Sequence, residues 1–379
     1  MKPRRVCYVV SSPMTLTAFL AGHVAAAAKS FDVTVVVNTE DPDALKELGL
    51  PVTLLQVPIE RAISPWRDLC ALWALYGHFR RAHFDLVHSV SPKAGLLGML
   101  AAWLARVPRR VHTFTGQVWV NKWGWRRVLL KWADRLLSAL TTHALVDSPS
   151  QSDFLVQEGV LPAAKARVIG KGAICGVDGK RFKPDADIRQ KMRLELDLSE
   201  SAIVLLFVGR INRDKGVLDL ATAFAHLSAR RQDVFLLLVG PDEHGMLDEI
   251  RASCGDASPR LRHVGYTSEP ERYMASTDII CLPSYREGFG MVVVEAAAAG
   301  LPAVASRIYG ITDAIVDGET GLLHPPGSVA GIEQALERLI ADPELRGAMG
   351  MAARGRVLRD FSQEQITGEL MAFYGKILG

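Results

Sequence analysis

Residues 287–295 read Glu-Gly-Phe-Gly-Met-Val-Val-Val-Glu, so that two glutamates enclose seven residues, with glycines at 288 and 290. An apolar run ends at Pro283 just before this stretch, and helix-forming residues continue to Gly300. The pattern predicts a strand followed by a helix that begins near Gly290, where free N–H groups and a partial positive charge face the strand end. Because carboxylates accept hydrogen bonds from sugar hydroxyls, this turn suits a ligand with both phosphates and hydroxyls.

The composition indicates a two-domain α/β protein. The chain has 379 residues, 49% of them hydrophobic, which is long for a single core. Its five cysteines are scattered without metal-ligand spacing, as in a reducing cytoplasm, and the net charge of +3 is too small to indicate a nucleic-acid partner. The longest apolar helical run, 94–105, is too short to span a bilayer, and the N-terminus lacks the apolar length of a signal peptide. We therefore expect a cytoplasmic protein.

Two series of alternating strands and helices predict two Rossmann-like parallel sheets. Strands are expected at 6–10, 33–37, 52–57, 86–89, 111–114 and 144–147, and then at 203–209, 234–240, 263–265, 278–282, 303–305 and 321–323. Glycines and Pro184 interrupt the pattern between 170 and 199. We therefore predict an N-terminal domain at 1–183 and a C-terminal domain at 199–361. A capping-box pattern at Ser362 predicts a final helix over 362–379.

Two cations follow the first strand of the second series. Arg210 comes directly after Gly209, and Lys215-Gly216 follows in the same loop. Ligands of open α/β sheets bind at the carboxyl ends of strands. A planar guanidinium and a mobile ammonium there could together neutralise a diphosphate, although surface residues of a polar loop would have the same sequence.

Taken together, these motifs resemble glycosyltransferase family 4, the retaining nucleotide-sugar transferases, including those of bacterial surface polysaccharide assembly. The resemblance is carried by Gly209-Arg210-x4-Lys215-Gly216, Pro283-Ser284-x2-Glu287-Gly288-Phe289-Gly290 and Glu295-Ala296-x3-Gly300-x-Pro302, and in the first half by Val111-His112-Thr113-Phe114-Thr115-Gly116. It implies the GT-B fold, in which two Rossmann-like domains face each other across a cleft. The C-terminal domain then binds the donor, the N-terminal domain binds the acceptor, and the final helix packs back on the N-terminal domain.

The resemblance also implies roles for individual residues. Arg210 and Lys215 match the diphosphate-binding pair, and Glu287 matches the residue that touches the transferred sugar. Glu295 matches the ribose-binding acid, and His112 matches a histidine that reaches the donor sugar. Further donor contacts are implied at Gly209, Ser284, Phe289, Gly290 and Met291.

The same family pattern requires no metal, and we expect no cofactor besides the nucleotide-sugar substrate. Two Asp-x-Asp sequences, Asp41-Pro42-Asp43 and Asp185-Ala186-Asp187, are interpreted as surface turns rather than metal sites. The loop Ser11-Ser12-Pro13-Met14-Thr15 lacks the glycines that many family members have there, so its backbone has less freedom to approach a phosphate, although Ser11 or Thr15 could still donate hydroxyl hydrogen bonds. The resemblance leaves the role of this loop at the donor phosphates open.

The expected reaction is transfer of a hexose, from UDP-hexose or UDP-N-acetylhexosamine, to a hydroxyl of a lipid-linked saccharide such as those of lipopolysaccharide assembly. A GDP-mannose-dependent mannosyltransferase and a nucleotide-sugar epimerase of the same fold are the alternatives. A dehydrogenase is disfavoured because no Gly-x-Gly-x-x-Gly follows the first strand. A non-catalytic binding module is disfavoured because it would not explain the diphosphate-binding pattern of Arg210 and Lys215.

The segment from Trp119 to Arg135 is basic and rich in tryptophan, with Lys122, Arg126, Arg127 and Lys131 against a single acid, Asp134. An interfacial helix at an anionic membrane has this composition, which would place the enzyme peripherally on the cytoplasmic face of the inner membrane. In the alternative interpretation the helix is solvated, and Leu129, Leu130, Trp132 and Leu136 face the core.

Overall fold

The computed structural model of the protein describes residues 3–39, 41, 49–60 and 64–379. The chain divides into two compact units, one formed by residues up to Gly176 together with Gln363–Gly379, the other by Val177–Ser362. Each unit contains one parallel sheet, as the two series of strands in the sequence predict.

The N-terminal unit is built on a seven-stranded sheet in the order β3-β2-β1-β4-β5-β6-β7. Its strands are β1 (Arg5–Val9), β2 (Asp32–Val37), β3 (Thr53–Gln56), β4 (Leu86–Val90), β5 (Arg109–Phe114), β6 (His143–Val146) and β7 (Ala166–Val168). The helices are α1 (Pro13–Thr15), α2 (Ala21–Ala27), α3 (Pro65–Ala82), α4 (Pro92–Leu104), α5 (Gly124–Leu140) and α6 (Pro149–Gln157), and a π-helical turn, Leu16–Leu20, joins the first two. The three-residue β7 is a strand that the sequence analysis did not predict.

The first sheet is apolar on both faces, because β-branched residues fill its inner strands. One face packs under α3, α4 and α5, with buried residues such as Leu75, Met99 and Leu137. The other face packs under α2 and the C-terminal helix, through residues such as Val24 and Leu370. The residues available for chemistry therefore lie at the ends of the strands rather than on the faces of the sheet.

The C-terminal unit has a six-stranded parallel sheet in the order β10-β9-β8-β11-β12-β13. Its strands are β8 (Ile203–Val208), β9 (Val234–Val239), β10 (Leu261–Val264), β11 (Ile279–Leu282), β12 (Ala303–Ser306) and β13 (Gly321–His324). The helices are α7 (Ala186–Glu195), α8 (Val217–Arg230), α9 (Leu247–Cys254), α10 (Pro270–Ser276), α11 (Met291–Ala298), α12 (Ile311–Ala314), α13 (Val329–Ala341) and α14 (Pro343–Asp360), with 3-10 turns at Arg213–Lys215 and Gly255–Arg260.

The last helix, α15 (Gln363–Leu378), belongs to the N-terminal unit. Its Leu370, Phe373 and Tyr374 are buried in the core of that unit beside α2. Polar contacts add specificity, since the Tyr374 hydroxyl hydrogen-bonds His88 and the Thr367 hydroxyl lies 2.9 Å from Nδ1 of His23. The predicted final helix that packs back on the first domain is therefore confirmed.

Candidate functional site

The predicted donor residues gather at the carboxyl edge of the C-terminal sheet. Strand β8 leads into Gly209 and Arg210, and β11 leads through Ser284 to Glu287, just before α11 begins at Met291. Strands β8 and β11 are hydrogen-bonded neighbours. The two loops therefore leave the same edge of the sheet side by side, where parallel α/β sheets bind ligands.

Glycine at position 216 allows these two loops to touch. Gly216 has a φ of +66°, and a Cβ there would lie 2.1 Å from the carbonyl oxygen of Pro283. Any other residue would push the cation-bearing loop away from the end of β11. The N–H of Tyr285 also donates to the carbonyl of Asp214 at 2.9 Å, which ties the loops together.

The close approach joins Lys215 and Glu287. The Lys215 Nζ lies 2.6 Å from Oε1 of Glu287, and the Ser284 hydroxyl donates to the same oxygen at 2.8 Å. Both members of the ion pair are largely buried. The structure thus brings together three of the residues that the sequence motifs single out, and it holds the ammonium beside the start of α11.

The guanidinium of Arg210 binds a carboxylate that the sequence analysis missed. Its Nη1 donates to both oxygens of Glu243, at 3.1 and 3.0 Å. Glu243 follows β9 in the sequence Pro241-Asp242-Glu243, so its position after a strand was a usable signal. Arg210 remains partly exposed, and the carboxylate holds it in place at the edge of the sheet.

Helix α11 begins as the sequence predicts. Gly290 precedes it with φ +80°, and the Phe289 ring is buried against Phe361 at 5.2 Å between centroids. The first N–H groups of a helix have no acceptor within it and point out of its N-terminus, although that of Val293 donates to the carbonyl of Gly290 at 2.9 Å.

Glu295 lies one turn into α11. Burial raises the pKa of its carboxyl to about 7, while the charge of Arg181 opposes this rise and that of Glu271 adds to it. Arg181 and Glu271 form an ion pair of their own at 2.8 Å. Within the described part of the chain, no group donates a hydrogen bond to the Glu295 carboxylate, so both of its oxygens can accept from a ligand.

His112 belongs to the N-terminal unit. It lies near the end of β5, is buried, and its Nδ1 is 2.8 Å from the Ser89 hydroxyl. Burial lowers the pKa of the imidazole to about 3, so His112 is neutral at physiological pH. The ring also packs edge-on against Phe114 at 4.6 Å between centroids. Ser89 fixes the orientation of this histidine, and the sequence analysis did not identify that role.

Of the two Asp-x-Asp sequences, only residues 185–187 lie wholly within the part of the chain that the structure describes. Asp185 is the N-cap of α7, where its carboxylate accepts from the N–H of Ile188 at 3.0 Å. Residues 42–43 of the other lie outside the described residues. Across residues 3–39, 41, 49–60 and 64–379, no group of three or more His, Cys, Asp and Glu side chains could hold a metal ion. In the 11–15 loop, the Ser12 hydroxyl caps α1 by accepting from the N–H of Thr15 at 3.3 Å.

The tryptophan-rich segment forms α5 and the turn before it. The core alternative is wrong for Leu129, Trp132 and Leu136, which are exposed, whereas Leu130 is partly buried against the core. Two of the cations are also not free, because Glu158 binds Arg127 at 3.1 Å and Lys131 at 2.6 Å. No helix among the described residues is long and apolar enough to cross a bilayer.

Comparison with known proteins agrees with this geometry. Residues 188–356 match the family model of group 1 glycosyl transferases, and residues 18–172 match that of the glycosyl transferase 4-like domain. CapM of Staphylococcus aureus, a capsular polysaccharide biosynthesis glycosyltransferase, is 28% identical over 92% of this chain and 91% of its own. The UDP-Gal:alpha-D-GlcNAc-diphosphoundecaprenol alpha-1,3-galactosyltransferase of Escherichia coli is 25% identical over 88% of this chain and 86% of its own.

A solved structure shows the same fold. HepE of Anabaena, in complex with UDP and glucose, superposes with a TM-score of 0.82 over 98% of this chain and 100% of its own, at 18% identity. Two parallel-sheet α/β units with this similarity confirm the GT-B fold. Because the two family models together cover most of both units, the chain belongs to the group 1 and 4-like glycosyltransferases and is a transferase enzyme.

Proposed function

We propose that the protein is a retaining glycosyltransferase that moves a hexose or N-acetylhexosamine from a UDP donor to a hydroxyl of a lipid-linked saccharide. The observation that carries the proposal is the Lys215–Glu287 ion pair beside the start of α11, with Arg210 in the same loop as the lysine. A nucleoside diphosphate is the ligand whose charge and hydroxyls match these groups.

Lys215 and Arg210 act on the leaving diphosphate. As the bond between the anomeric carbon and the phosphate oxygen breaks, negative charge grows on that oxygen, and fixed cations stabilise it more in the transition state than in the ground state. The first N–H groups of α11, with those of Phe289 and Gly290, face the same charge. These groups can perform the electrostatic work without a metal ion, so we propose metal-independent catalysis.

Glu287 and Glu295 orient the donor in this scheme. Glu287 accepts hydrogen bonds from hydroxyls of the transferred sugar, and Glu295 accepts from the ribose. We assign His112, neutral and held by Ser89, to contact with the donor sugar. The acceptor oxygen attacks on the face from which the diphosphate departs, and its proton passes to a phosphate oxygen of the leaving group. The new glycosidic bond then keeps the donor's anomeric configuration.

The relatives favour the nucleotide and the acceptor class. The Escherichia coli relative is named for a UDP-galactose donor and a diphosphoundecaprenol-linked acceptor, and the Anabaena structure contains UDP. A lipid-linked acceptor would keep the reaction at a membrane surface, so we propose peripheral attachment on the cytoplasmic face of the inner membrane.

Two measurements test this function. A thermal-shift panel of nucleoside diphosphates, with and without divalent metal, should show selective stabilisation by UDP that does not require the metal. Proton NMR of the product formed from a UDP-sugar and a diphospholipid-linked acceptor should show the donor's anomeric configuration. Selective stabilisation by GDP would instead assign a GDP-mannose donor, and release of an isomerised UDP-sugar without transfer would assign an epimerase.

A further inference from the structure

Two helices of the N-terminal unit expose tryptophans in a regular pattern. On α3, Trp66 and Trp73 are 75% and 57% exposed, with Leu69 between them on the same face. On α5, Trp125 and Trp132 are 71% and 61% exposed, and Val128 and Leu129 complete one face. The four tryptophans together leave on the order of 500 Å² of aromatic surface in contact with solvent, divided between the two helices.

The topology places both groups of tryptophans at the same end of the unit. In a parallel sheet, crossover helices run antiparallel to the strands, so their N-terminal halves lie at the carboxyl edge. Trp66 and Trp125 lie in the first turns of α3 and α5, Trp73 and Trp132 lie near the middle of these helices, and α4 packs between the two. His112, near the carboxyl end of β5, lies toward the same edge.

The charges on this surface are of one sign. Lys122 and Arg126 are exposed, and the Arg126 guanidinium lies 5.6 Å from the centroid of the Trp125 ring. Each of the two helices contains one acidic residue, and each of these has a partner. Asp68 forms an ion pair with Lys93 at 2.5 Å. Asp134 is buried, and its carboxylate accepts a hydrogen bond from Nε1 of Trp119 at 2.7 Å. No exposed acid on α3 or α5 would oppose a negatively charged partner.

We infer that the tryptophan faces of α3 and α5 form one docking surface that inserts into the interfacial layer of an anionic bilayer. This inference rests on the proposed function for the acceptor's location, and it adds the mode of attachment. Tryptophan prefers the headgroup level of a bilayer, where its ring is buried and its N–H stays hydrated. Insertion of aromatic rings therefore supplies most of the attachment, and Lys122 and Arg126 add a smaller electrostatic part. The carboxyl edge of the N-terminal sheet then faces the lipid that carries the acceptor.

A second copy of the chain fits this surface less well. A two-fold interface brings the same patch of both copies together, so Lys122 and Arg126 would face their own counterparts across the axis. The two ridges of tryptophan also lie about 20 Å apart, because α4 separates their helices and packed helices are about 10 Å apart. An anionic lipid surface contacts both ridges at once and neutralises the cations.

Co-sedimentation with vesicles of phosphatidylcholine and phosphatidylglycerol tests the surface. The triple variant Trp73→Ala/Trp125→Ala/Trp132→Ala should lower the partition coefficient more than tenfold, at low and at high salt alike. The double variant Lys122→Ser/Arg126→Ser should lower it about fivefold per charge at low salt, and the difference should vanish at high salt. Quenching of tryptophan fluorescence by brominated lipid should be strong in the wild type and reduced in the triple variant, which keeps the exposed Trp66 and Trp123.

A matched control lies on the helix between. Trp103 is 51% exposed at the C-terminal end of α4, and therefore at the opposite edge of the sheet. Trp103→Ala should leave vesicle binding within twofold of the wild type. An equal loss in this control, or unchanged binding by the triple variant, overturns the inference. So does a wild-type dimer that ignores vesicles and that the triple variant separates into monomers.

UDP-induced thermal stabilisation separates this inference from the proposed function. The triple variant should be stabilised by UDP as much as the wild type, because no substituted residue lies in the C-terminal unit. If UDP stabilises neither protein while vesicle binding depends on the tryptophans, the proposed donor is wrong and the docking surface stands. If UDP stabilises both and the tryptophans have no effect on vesicle binding, the docking surface is wrong and the donor stands.

Discussion

The Lys215 ammonium and the Glu287 carboxylate form an ion pair of 2.6 Å between residues 72 positions apart in the sequence. In this pair a carboxylate occupies the cation that the proposed mechanism assigns to the diphosphate. Donor binding must then exchange one anionic partner of Lys215 for another. Because of this competition, we expect loss of the Glu287 charge to raise the affinity for UDP while it lowers the rate of sugar transfer.

Glu287→Gln should bind UDP more tightly and transfer sugar more slowly. Loss of the negative charge leaves Lys215 available to the diphosphate, which we expect to lower the Kd for UDP about fivefold. The hydrogen bonds to the transferred sugar weaken at the same time, and kcat should fall about 10²-fold. Titration calorimetry and initial rates measure the two effects.

A surface ion pair provides the control for that substitution. Glu249 binds Arg213 at 2.8 Å, and both side chains are about half exposed or more. Glu249→Gln removes the same charge from the same unit and should change neither the Kd nor kcat by more than twofold. If Glu287→Gln also leaves the Kd for UDP unchanged, Glu287 does not compete with the diphosphate.

Arg210→Ala tests the second cation. A preorganised contact to the leaving group typically contributes about 10²- to 10³-fold to turnover, and we expect a loss of kcat in this range. Arg213→Ala is the matched control, because it removes an arginine from the same loop that also pairs with a glutamate. Its rate should stay within twofold of the wild type. Equal rates for the two variants would show that Arg210 does not touch the diphosphate.

The fold could be predicted from the sequence where the signal was local and repeated. Long buried strands such as β8 and β9 consist of β-branched, leucine and phenylalanine residues, and their ends were predicted to within about one residue. Strand β7 was missed because it has only three partly exposed residues, so burial leaves no apolar pattern in it. Hydrogen bonding to β6 holds β7 in an extended conformation, although its composition does not predict a strand.

Those residues of the candidate site that belong to sequence motifs could be predicted. Lys215, Ser284 and Glu287 occur at spacings that point to one edge of a sheet, and the structure joins them. Glu243 and Ser89 were missed, because their partners lie 33 and 23 residues away and no sequence period connects them. The exposed side of α5 was ambiguous for another reason: leucines and tryptophans at helical spacing look the same whether a core or a membrane covers them.

Gly95→Ala should slow transfer through His112. A Cβ at position 95 would lie 2.4 Å from Cε1 of the imidazole, which Ser89 and Phe114 hold in place. The ring must therefore move, and we expect kcat to fall at least tenfold, with a loss of about 1–3 kcal/mol in the free energy of unfolding. Initial rates and urea denaturation measure the two effects.

Gly77→Ala is the control for a helical glycine. Gly77 lies in α3, and apart from the adjacent backbone of that helix no atom of the described residues lies within 4 Å of the position of its missing Cβ. Alanine there should stabilise the protein by up to about 1 kcal/mol through helix propensity and leave kcat unchanged. Gly95→Ala with a wild-type rate would show that the imidazole position has no part in catalysis.

Donor affinity should depend on the ionisation of Glu295. Its pKa is raised to about 7 by burial, so the carboxylate that accepts from ribose forms only as pH rises through 7. UDP should therefore bind up to about tenfold more weakly at pH 6 than at pH 8. In Glu295→Gln this step should disappear, and the remaining dependence reports the terminal phosphate, with its pKa of about 6. Identical profiles for the two proteins would exclude Glu295 from the ribose contact.

The stability of the N-terminal unit should depend on Asp147. This residue is buried, and no group in the described part of the chain donates a hydrogen bond to its Oδ1. It lines a cavity of about 20 Å³ with His23 and His88, enough for one water molecule. Burial raises the pKa of the Asp147 carboxyl to about 8 and lowers that of His88 to about 3.

Asp147→Asn should abolish a loss of stability that the wild type shows as pH rises from 6.5 to 8. The folded protein keeps the Asp147 proton up to about pH 8, while the unfolded chain releases it near pH 4, so the free energy of unfolding falls as pH rises between these values. His88 acts in the opposite direction below about pH 6.5, which leaves pH 6.5–8 as the informative window. Over this window, urea denaturation should show the wild type losing up to about 2 kcal/mol relative to Asp147→Asn. Asp153→Asn, at an exposed position on α6, should keep the wild-type slope. Parallel curves for the wild type and Asp147→Asn would mean that water already solvates the Asp147 carboxylate in the folded protein.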